Sequence, residues 1–518
     1  MSSLEIDPRL SMEKFGSHPA DSSMTDVEKG TVHTATTPIG NGTSKLAKLS
    51  ARIEGLAGIE TRGIERVPDE ERQGKASLKD YMHMFQMWFG INLTANGINI
   101  GLLGPAVYAL GFTDAMLLCT FGTLTGCLCT GYIATFGPQS GCRTMVVTRF
   151  SMGWWPSRLA VILNIVIGLG YGVVNCLTAG LILAAVNGHG MTPIVGVIIS
   201  ALITWIIATC GMKWFRTFEQ YAWMPQILLF MLMIGCTGPH WDTDLKSPLS
   251  GQPLLASRIS YFFLSMSPPL SWASYATDYY IYLPKNTSKT LLCLLTAGGC
   301  LCSKLIVLYI GIGLGSGLTS NPAWGTAFDT STGELIITSL SPLGTFGNFC
   351  GVLLALGLVA NQVPGAYSCS FNFQLLGSWP AKLPRYFWST VSVIIYAVCA
   401  IAGRAYLLSI FNGFLALIGY WTIIWIALVA EDQAFRWKSG YDWEAWNNKS
   451  KLPLGIAALI AFCVGWVGAV LCMYETYFTG PIAAMIGGGA DIGLPVSAAW
   501  AAIVYPPLRY LELKWIHR

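Results

Sequence analysis

The sequence predicts an all-α integral membrane protein with about twelve transmembrane helices. Of the 518 residues, 53% are hydrophobic and only 11% are charged, whereas a soluble domain carries about a quarter charged residues. Apolar runs of about 20 residues, enough for a helix to cross a hydrocarbon core of about 30 Å, recur along the chain. The small net charge of +4 indicates no nucleic-acid partner. The expected surroundings are therefore a lipid bilayer.

The chain begins with a polar stretch of residues 1–78, which we predict to be a cytoplasmic, largely disordered tail. Within it, a short basic and acidic segment is expected to dock near the membrane. The stretch contains no apolar core of a cleavable signal peptide. Insertion is therefore expected to start with the first hydrophobic helix.

The predicted spans follow this tail as twelve apolar runs. They lie at about 83–109, 113–135, 157–184, 191–210, 220–238, 257–282, 289–315, 335–360 (continuing to 367), 386–402, 405–430, 453–474 and 482–504. The 15 cysteines lie mostly inside such runs and show neither zinc-ligand spacing nor a disulfide framework. They are predicted to be packing residues, and no metal site is expected.

Loop charges support this count independently. Lys and Arg are concentrated in every second connection, at 62–79, 143–149, 213–216, 285–289, 382–385, 436–451 and 509–518. The opposite connections at 185–190, 316–334 and 475–481 contain neither residue, and Lys246 and Arg404 are the main exceptions on that side. Because basic loops stay on the cytoplasmic side, both termini are predicted to be cytoplasmic.

The first span is interrupted by polar residues. It reads FQMWFGINLTANGINIGLLGP, with three Asn, a Thr and a Gly near its middle. Discontinuous membrane helices of this kind carry substrate sites near the midplane of the bilayer. Thr94, Asn96 and Gly97 are therefore candidate binding residues. The alternative is a contact between helices, which small and amide residues also make in membranes.

The sixth span contains Pro268 and Pro269, which remove two backbone donors, so we predict a helix break there. Breaks in the first and sixth spans, five apart, indicate a five-plus-five inverted repeat, although chance could also pair them. Trp272 follows the second break, where an indole can stack on a flat ligand. The alternative for this residue is an ordinary interfacial tryptophan.

The third and eighth spans add an aromatic residue and three amides. Tyr171 and Asn175 are i, i+4 neighbours on one helical face, with glycines beside them. Asn361 and Gln362 precede a proline in the eighth span. A carboxamide both donates and accepts, so these residues could bind the edge of a heterocycle or form a bond between helices.

Aromatic faces and amides, with no charged residue firmly at the centre, indicate a flat, neutral, hydrogen-bonding ligand. An anionic ligand would be expected to need a cation or exposed N–H groups, and a sugar would need carboxylates over many helices. No cluster of His, Asp and Glu lies within the spans, which argues against an enzyme.

Several stretches together resemble the fungal purine-cytosine permeases of the nucleobase-cation-symport-1 family. They are MWFGINLTANG with GLLGP, TFGPQSGCRTMVVTRFSMGWWPS, GLGYGVVN, GMKWFRTFEQYAWMP, SWASYATDYYIYLP and ALGLVANQVPGAYS. The resemblance implies a LeuT-type inverted repeat with substrate between the first, third, sixth and eighth spans. By matching position, the site residues would be Tyr171, Asn175, Trp272 and Asn361.

On this basis we assign residues 79–402 to a ten-helix transport core, 403–506 to two additional helices and 507–518 to a cytoplasmic tail. The resemblance implies import of purine bases or cytosine across the plasma membrane, without a cofactor. The alternatives are a carrier of another flat heterocycle such as pyridoxine, and a non-transporting receptor or sensor.

The chain departs from the family pattern at two places. Tyr171 stands where cytosine-purine carriers typically have Trp, and NQVPG replaces the motif NNxPN, so Gln362 and Gly365 take the place of two Asn residues. Sodium-driven relatives have hydroxyl side chains where this chain has Ala355 and Leu356. The expected coupling ion is therefore a proton. Asp278 and Glu219, the carboxylates nearest to the spans, are expected to be structural groups at helix ends.

Overall fold

The computed structural model describes residues 63–186, 188, 190–210 and 212–516, and for 209, 210, 212–220 and 222 it describes the backbone alone. The predicted tail therefore lies mostly outside the described residues. The described chain is mostly helical, with one two-stranded antiparallel hairpin, β1 (Tyr474–Glu475) and β2 (Phe478–Thr479).

The helices occupy all twelve predicted runs. The first half contains α1 (Leu78–Asn92), α2 (Asn96–Ala106), α3 (Phe112–Ala134), α4 (Phe136–Ser140), α5 (Thr144–Met152), α6 (Ser157–Val186), α7 (Pro193–Cys210), α8 (Met212–Thr237) and α9 (Gly251–Ser271). The second half contains α10 (Lys289–Ser316), α11 (Pro322–Thr330), α12 (Thr332–Ser339), α13 (Thr345–Leu375), α14 (Arg385–Ala402), α15 (Leu407–Phe435), α16 (Ile456–Cys472) and α17 (Gly493–Ile516).

Six helical segments of the described chain are long and apolar enough to cross a membrane by length and composition. They are Phe112–Ser140, Ser157–Val186, Lys289–Ser316, Thr345–Leu375, Arg385–Ala402 and Leu407–Phe435. Shorter apolar helices cover Pro193–Ala208 and Ile456–Cys472. The remaining runs are interrupted or carry polar residues, so the count of twelve crossings stays a prediction.

The predicted interruption of the first span is present. A capping box between Ser77 and Asp80 starts α1. The helix ends at Asn92, because Leu93 leaves the helical conformation with φ −84° and ψ 74°. The amide of Thr94 donates to the carbonyl of Asn92 at 3.1 Å, and α2 begins at Asn96. A short non-helical turn thus separates two half-helices.

The predicted break at Pro268 and Pro269 is wrong in position. Helix α9 passes through both prolines to Ser271 and then tightens into a 3-10 helix, Trp272–Tyr279. A side chain replaces one of the missing backbone donors: the hydroxyl of Thr123 in α3 donates to the carbonyl of Ser265 at 3.4 Å. Since proline already holds a helical φ, a partner for this freed carbonyl helps the helix to continue.

The ends of two other predicted spans also need correction. The eighth span begins at Thr345, after Gly344 with φ 57°, and residues 332–339 form the separate helix α12. The last span is α17, which starts at Gly493 and continues through the predicted tail to Ile516. Its buried Arg509 pairs with buried Asp432 of α15 at 3.2 Å, which holds this end of α17 in the fold.

Residues 403–506 contain parts of three long helices, α15, α16 and α17, and not two. Phe411 of α15 lines the central cavity described below. The helices around the cavity therefore include α15, and the division into a ten-helix core and two additional helices stays a prediction.

The end of the predicted N-terminal tail, from residue 63, is folded onto the helices. The amide of Val67 donates to the carbonyl of Gly141 at 2.8 Å, and Arg143 donates to the carbonyl of Gly63 at 2.9 Å. Lys285 contacts Asp69 at 2.8 Å, and this hydrogen bond, with two nearby arginines, lowers the pKa of the Asp69 carboxyl. The segment thereby joins the α4–α5 connection to the loop that follows the 3-10 helix.

Helices α2 and α10 cross in direct backbone contact. A Cβ atom at Gly101 would overlap the carbonyl oxygen of Leu308 and lie 2.9 Å from the Cα of Gly311. A Cβ at Gly97 would overlap the side chain of Val307. Only glycine permits this approach, which fixes α10 beside the interruption between α1 and α2.

We therefore expect Gly101→Ala to lower the free energy of unfolding by about 1–3 kcal/mol, the usual cost of overpacking. The measurement is the midpoint of thermal unfolding of the purified protein in detergent. Gly365→Ala is the matched control, because a Cβ there meets nothing within 4 Å. Equal midpoints for the two variants would contradict the proposed backbone contact.

Candidate functional site

A cavity with about 500 Å³ of empty space lies at the interruption between α1 and α2. Its lining residues come from both half-helices and from α3, α6, α9, the 3-10 helix, α10, α13 and α15. A space between several helices, lined by apolar and aromatic side chains with a few polar groups, is the usual form of a small-molecule site. The cavity is therefore a candidate binding site for a small ligand.

Two aromatic rings form one wall of the cavity. The rings of Tyr171 and Trp272 are nearly parallel, with centroids 6.3 Å apart and an interplanar angle of 20°. The hydroxyl of Tyr171 shares a hydrogen bond with that of Ser271 at 2.9 Å. Trp88 packs edge-on against Trp272 at 5.8 Å and donates to Tyr280 at 2.6 Å. Because each ring is held by neighbours, the wall is a preformed flat surface.

The amides form a network that joins the broken helix to α6 and α13. The Nδ2 atom of Asn175 donates to the side-chain oxygens of Asn361 at 3.0 Å and Gln362 at 2.8 Å. Asn96 donates to Asn175, and Asn361 donates to the carbonyl of Ile91 at 2.5 Å. The network therefore supplies a partner for one carbonyl in the last turn of α1.

The structure brings seven of the eight predicted site residues to a cavity wall. The residues lining the main cavity are Thr94, Asn96, Gly97, Tyr171, Trp272 and Asn361. Gln362 lines an adjoining space of about 270 Å³, together with Asn361 and Gly365. Asn175 lines neither space and is only 1% exposed, so its place is behind the wall, at the centre of the amide network.

Some polar atoms on the cavity lining have no hydrogen-bond partner among the described residues. They are Asn92 Oδ1, Asn96 Oδ1 and Ser265 Oγ, all buried. Buried polar groups are normally satisfied, and an unmade bond costs about 1–3 kcal/mol. These atoms are therefore available to a ligand that presents N–H donors.

The inference that no charged residue lies at the centre is wrong. Lys304 of α10 lines the main cavity. The sequence carried a signal, because Lys304 interrupts an otherwise apolar run, and an ionisable residue inside a membrane span is a functional candidate. Asn92, Ser265 and Phe411 also line the cavity and were not among the predicted site residues.

Asp278, one of the two carboxylates predicted to lie nearest to the spans, forms hydrogen bonds within the fold. Asp278 accepts hydrogen bonds from the backbone amide of Thr144 at 2.8 Å and from its hydroxyl at 3.1 Å. It therefore caps the first turn of α5, as expected for a group at a helix end. The side chain of Glu219 lies outside the described residues. No carboxylate lines either cavity in the described part of the chain.

Comparison with protein families gives one model, described as permease for cytosine/purines, uracil, thiamine and allantoin, which matches residues 66–483. A purine-cytosine permease of Emericella nidulans is 33% identical over 485 residues, covering 92% of this chain and 93% of that protein. A vitamin B6 transporter of Saccharomyces cerevisiae is 30% identical over 525 residues, covering 91% of this chain and 90% of that protein.

Among solved structures, the fold is similar to Mhp1, a nucleobase-cation-symport-1 family transporter in a closed conformation with bromovinylhydantoin bound. The TM-score is 0.66 at 12% identity, covering 88% of this chain and 96% of that one. The inward-facing conformation of Mhp1 gives a TM-score of 0.62. At this identity the likeness concerns the fold.

We expect Asn175→Ala to destabilise the protein, because it leaves the side-chain oxygens of Asn361 and Gln362 without their donor. Each stranded buried group costs about 1–3 kcal/mol. The matched control is Asn99→Ala, which removes a single bond, to Thr178 at 3.2 Å. Thermal unfolding of the two variants in detergent measures the difference, and a smaller loss for Asn175→Ala than for the control would contradict the network.

Proposed function

Because the chain belongs to the family of permeases for cytosine, purines, uracil, thiamine and allantoin, we propose that it imports purine bases or cytosine across the plasma membrane. It acts as a secondary active transporter with alternating access, and no covalent chemistry is involved. The observation that carries this proposal is the cavity at the helix interruption, which combines a flat aromatic wall with unpartnered amide oxygens.

The proposed arrangement in the membrane has twelve crossings with both termini in the cytoplasm. The first ten crossings form two inverted repeats of five, with α1 and α2 together as the first and α9 with the 3-10 helix as the sixth. The alternation in the sequence of basic loops with loops that contain little or no Lys and Arg supports this orientation. The cavity then lies between half-helices, where transporters of this kind hold their substrates.

A nucleobase matches the lining of the cavity in shape and in polarity. Its ring is flat, and stacking a base on an aromatic side chain contributes roughly 1–3 kcal/mol in other proteins. Its edge carries N–H donors for Asn92 Oδ1 and Asn96 Oδ1, both unpartnered among the described residues. It also carries carbonyl and ring-nitrogen acceptors, which a donor on the opposite wall could bind.

A second candidate substrate is a flat vitamin such as pyridoxine. The 30% identity to a vitamin B6 transporter favours it. So do the two departures from the cytosine-purine pattern, Tyr171 on the aromatic wall and Gly365 beside the amides. Losing a hydrogen-bonding side chain at a specificity site changes which substrate is accepted.

The proposed coupling ion is a proton. The face of α13 near the helix interruption carries Leu354, Ala355 and Leu358, which pack in one apolar cluster with Leu93 and Ala95. Leu356, by contrast, is 40% exposed on the outside of the helix. A sodium ion requires several oxygen ligands, as hard cations generally do, and these five side chains supply none.

The experiment is uptake of radiolabelled hypoxanthine and cytosine in cells that lack their own carriers. Unlabelled purines, pyrimidines and pyridoxine compete, with and without an uncoupler and with and without external sodium. We expect competition by bases, loss of uptake with the uncoupler and no sodium requirement. Competition by pyridoxine alone would select the second candidate, and a steep sodium requirement would overturn proton coupling.

We expect Trp272→Ala to weaken the apparent affinity for the transported base by roughly 5- to 150-fold, the equivalent of about 1–3 kcal/mol of stacking. Trp272→Phe, the control, keeps a ring in place and should lose less. The measurement is an inhibition constant from uptake, normalised to surface expression. A surface-expressed alanine variant with unchanged affinity would refute the stacking role.

We expect Gly365→Asn to change the ranking of substrates more than the maximal rate. The position lines the adjoining cavity one turn from Asn361, and the neighbourhood has room for a side chain. A second carboxamide at i, i+4 spacing would then reach the ligand edge. Gly365→Ala controls for size alone. If Gly365→Asn scales the inhibition constants of all bases equally, the eighth span does not determine specificity.

A further inference from the structure

One group on the cavity wall has no assigned role, and it is the only charged side chain that the described residues place there. We propose that the amine of Lys304 binds the coupled proton, and that its charged form donates a hydrogen bond to an acceptor atom of the bound base. The inference rests on the proposed function, which leaves the proton-binding group open.

The position of Lys304 follows from the packing of α10. Val307 and Leu308, which follow by three and four residues, line the same cavity. Residues at this spacing share one helical face. Val307 packs on Gly97, and the carbonyl of Leu308 contacts Gly101, so this face of α10 is held against the interruption between α1 and α2. The lysine therefore belongs to a rigid wall.

Lys304 has no partner of opposite charge among the described residues. The structure gives its ammonium neither a hydrogen bond nor an ion pair with any described residue, and no carboxylate lines the cavity among those residues. Two charged residues elsewhere in the bundle, by contrast, have a partner of opposite charge: Asp432 lies 3.1 Å from Arg436, and Arg258 lies 2.7 Å from Asp114. An unpaired ammonium in a membrane interior is costly in free energy. The amine is therefore expected to release its proton when no ligand stabilises the charge.

The titratable groups around the amine are two thiols and a phenol. Cys300 on the same helix and Cys127 of α3 are the two that act on its charge, and the phenol of Tyr171 lines the same cavity from α6. No titratable side chain of α1, α2 or the described part of α8 acts on it. A thiol or phenol cannot neutralise an ammonium as a carboxylate does, so the bound substrate is the partner that can stabilise the charge.

The coupling follows from this arrangement. With the cavity open to the outside, the lone pair of the amine takes a proton from water and becomes an ammonium. A carbonyl or ring nitrogen of the base then accepts a hydrogen bond from it. After the base leaves on the cytoplasmic side, the stranded ammonium loses its proton to water, and no bond within the base is made or broken.

Linkage makes this relation reciprocal: if the base favours the charged amine, protonation favours the base by the same factor. Affinity should therefore fall as pH rises. The same donor completes the polar lining, because Asn92 Oδ1 and Asn96 Oδ1 can only accept hydrogen bonds. A base edge carries both donors and acceptors and can engage both walls.

The test uses purified full-length protein, for Kd values of radiolabelled base from pH 5 to 8, and proteoliposomes, for accumulation and base-driven proton entry. In the wild type we expect affinity to fall with rising pH by a factor typical of coupled sites, about 5- to 150-fold. Lys304→Gln should bind at all pH values with one lower affinity, exchange labelled for unlabelled base, and neither accumulate base nor move protons.

Lys304→Arg should also bind without pH dependence and fail to accumulate base, because its guanidinium stays charged. Lys304→Met provides a neutral side chain of similar length if the glutamine variant proves unstable. Lys289→Gln, at the exposed start of the same helix, is the matched control and should behave as the wild type.

Concentrative uptake by Lys304→Gln or Lys304→Met with the wild-type pH dependence would overturn the inference while leaving the proposed transport intact. A wild type that binds bases but moves no protons would overturn both the inference and proton coupling. A wild type that binds none of the bases would overturn the proposed substrate class.

Discussion

The structure depends on hydrogen-bond partners for the backbone groups at the interruption between α1 and α2, which lies inside an apolar bundle. A broken helix in a membrane exposes backbone groups that water cannot reach, so neighbouring elements must supply partners. Asn361 of α13 reaches the carbonyl of Ile91, and Asn175 of α6 ties the amides together. On the other side, α10 contacts the backbone of α2 at Gly101. The helices that stabilise the interruption are therefore the helices that surround the cavity.

Stability and recognition thus draw on the same side chains. Asn361 uses both ends of its amide for the bundle and still lines both cavities. Asn92 and Asn96 commit their nitrogens to the protein and leave their oxygens without a partner among the described residues. This division gives each amide a fixed orientation before a ligand arrives, and preorganisation reduces the entropic cost of binding.

The sequence predicted the helices and the first interruption because apolar runs and midspan amides are local signals. It misplaced the second interruption because Thr123, 142 residues from Ser265, satisfies a carbonyl that the prolines freed. It also assigned a contact with the ligand to Asn175, which lies behind the cavity wall. Helical spacing predicts which face of the helix a residue occupies, but not whether its side chain reaches the cavity. Lys304 carried a local signal, as an ionisable residue in an apolar run, but its place on the cavity wall and its lack of a partner among the described residues come from the fold.

The folded segment from residue 63 has a practical consequence for protein engineering. Its register is set by backbone contacts, such as Val67 with Gly141, whereas the Lys285–Asp69 pair is 54% and 39% exposed and responds to ionic strength. A truncation or a fluorescent fusion placed after Val67 therefore removes the backbone bond to Gly141 that anchors the segment.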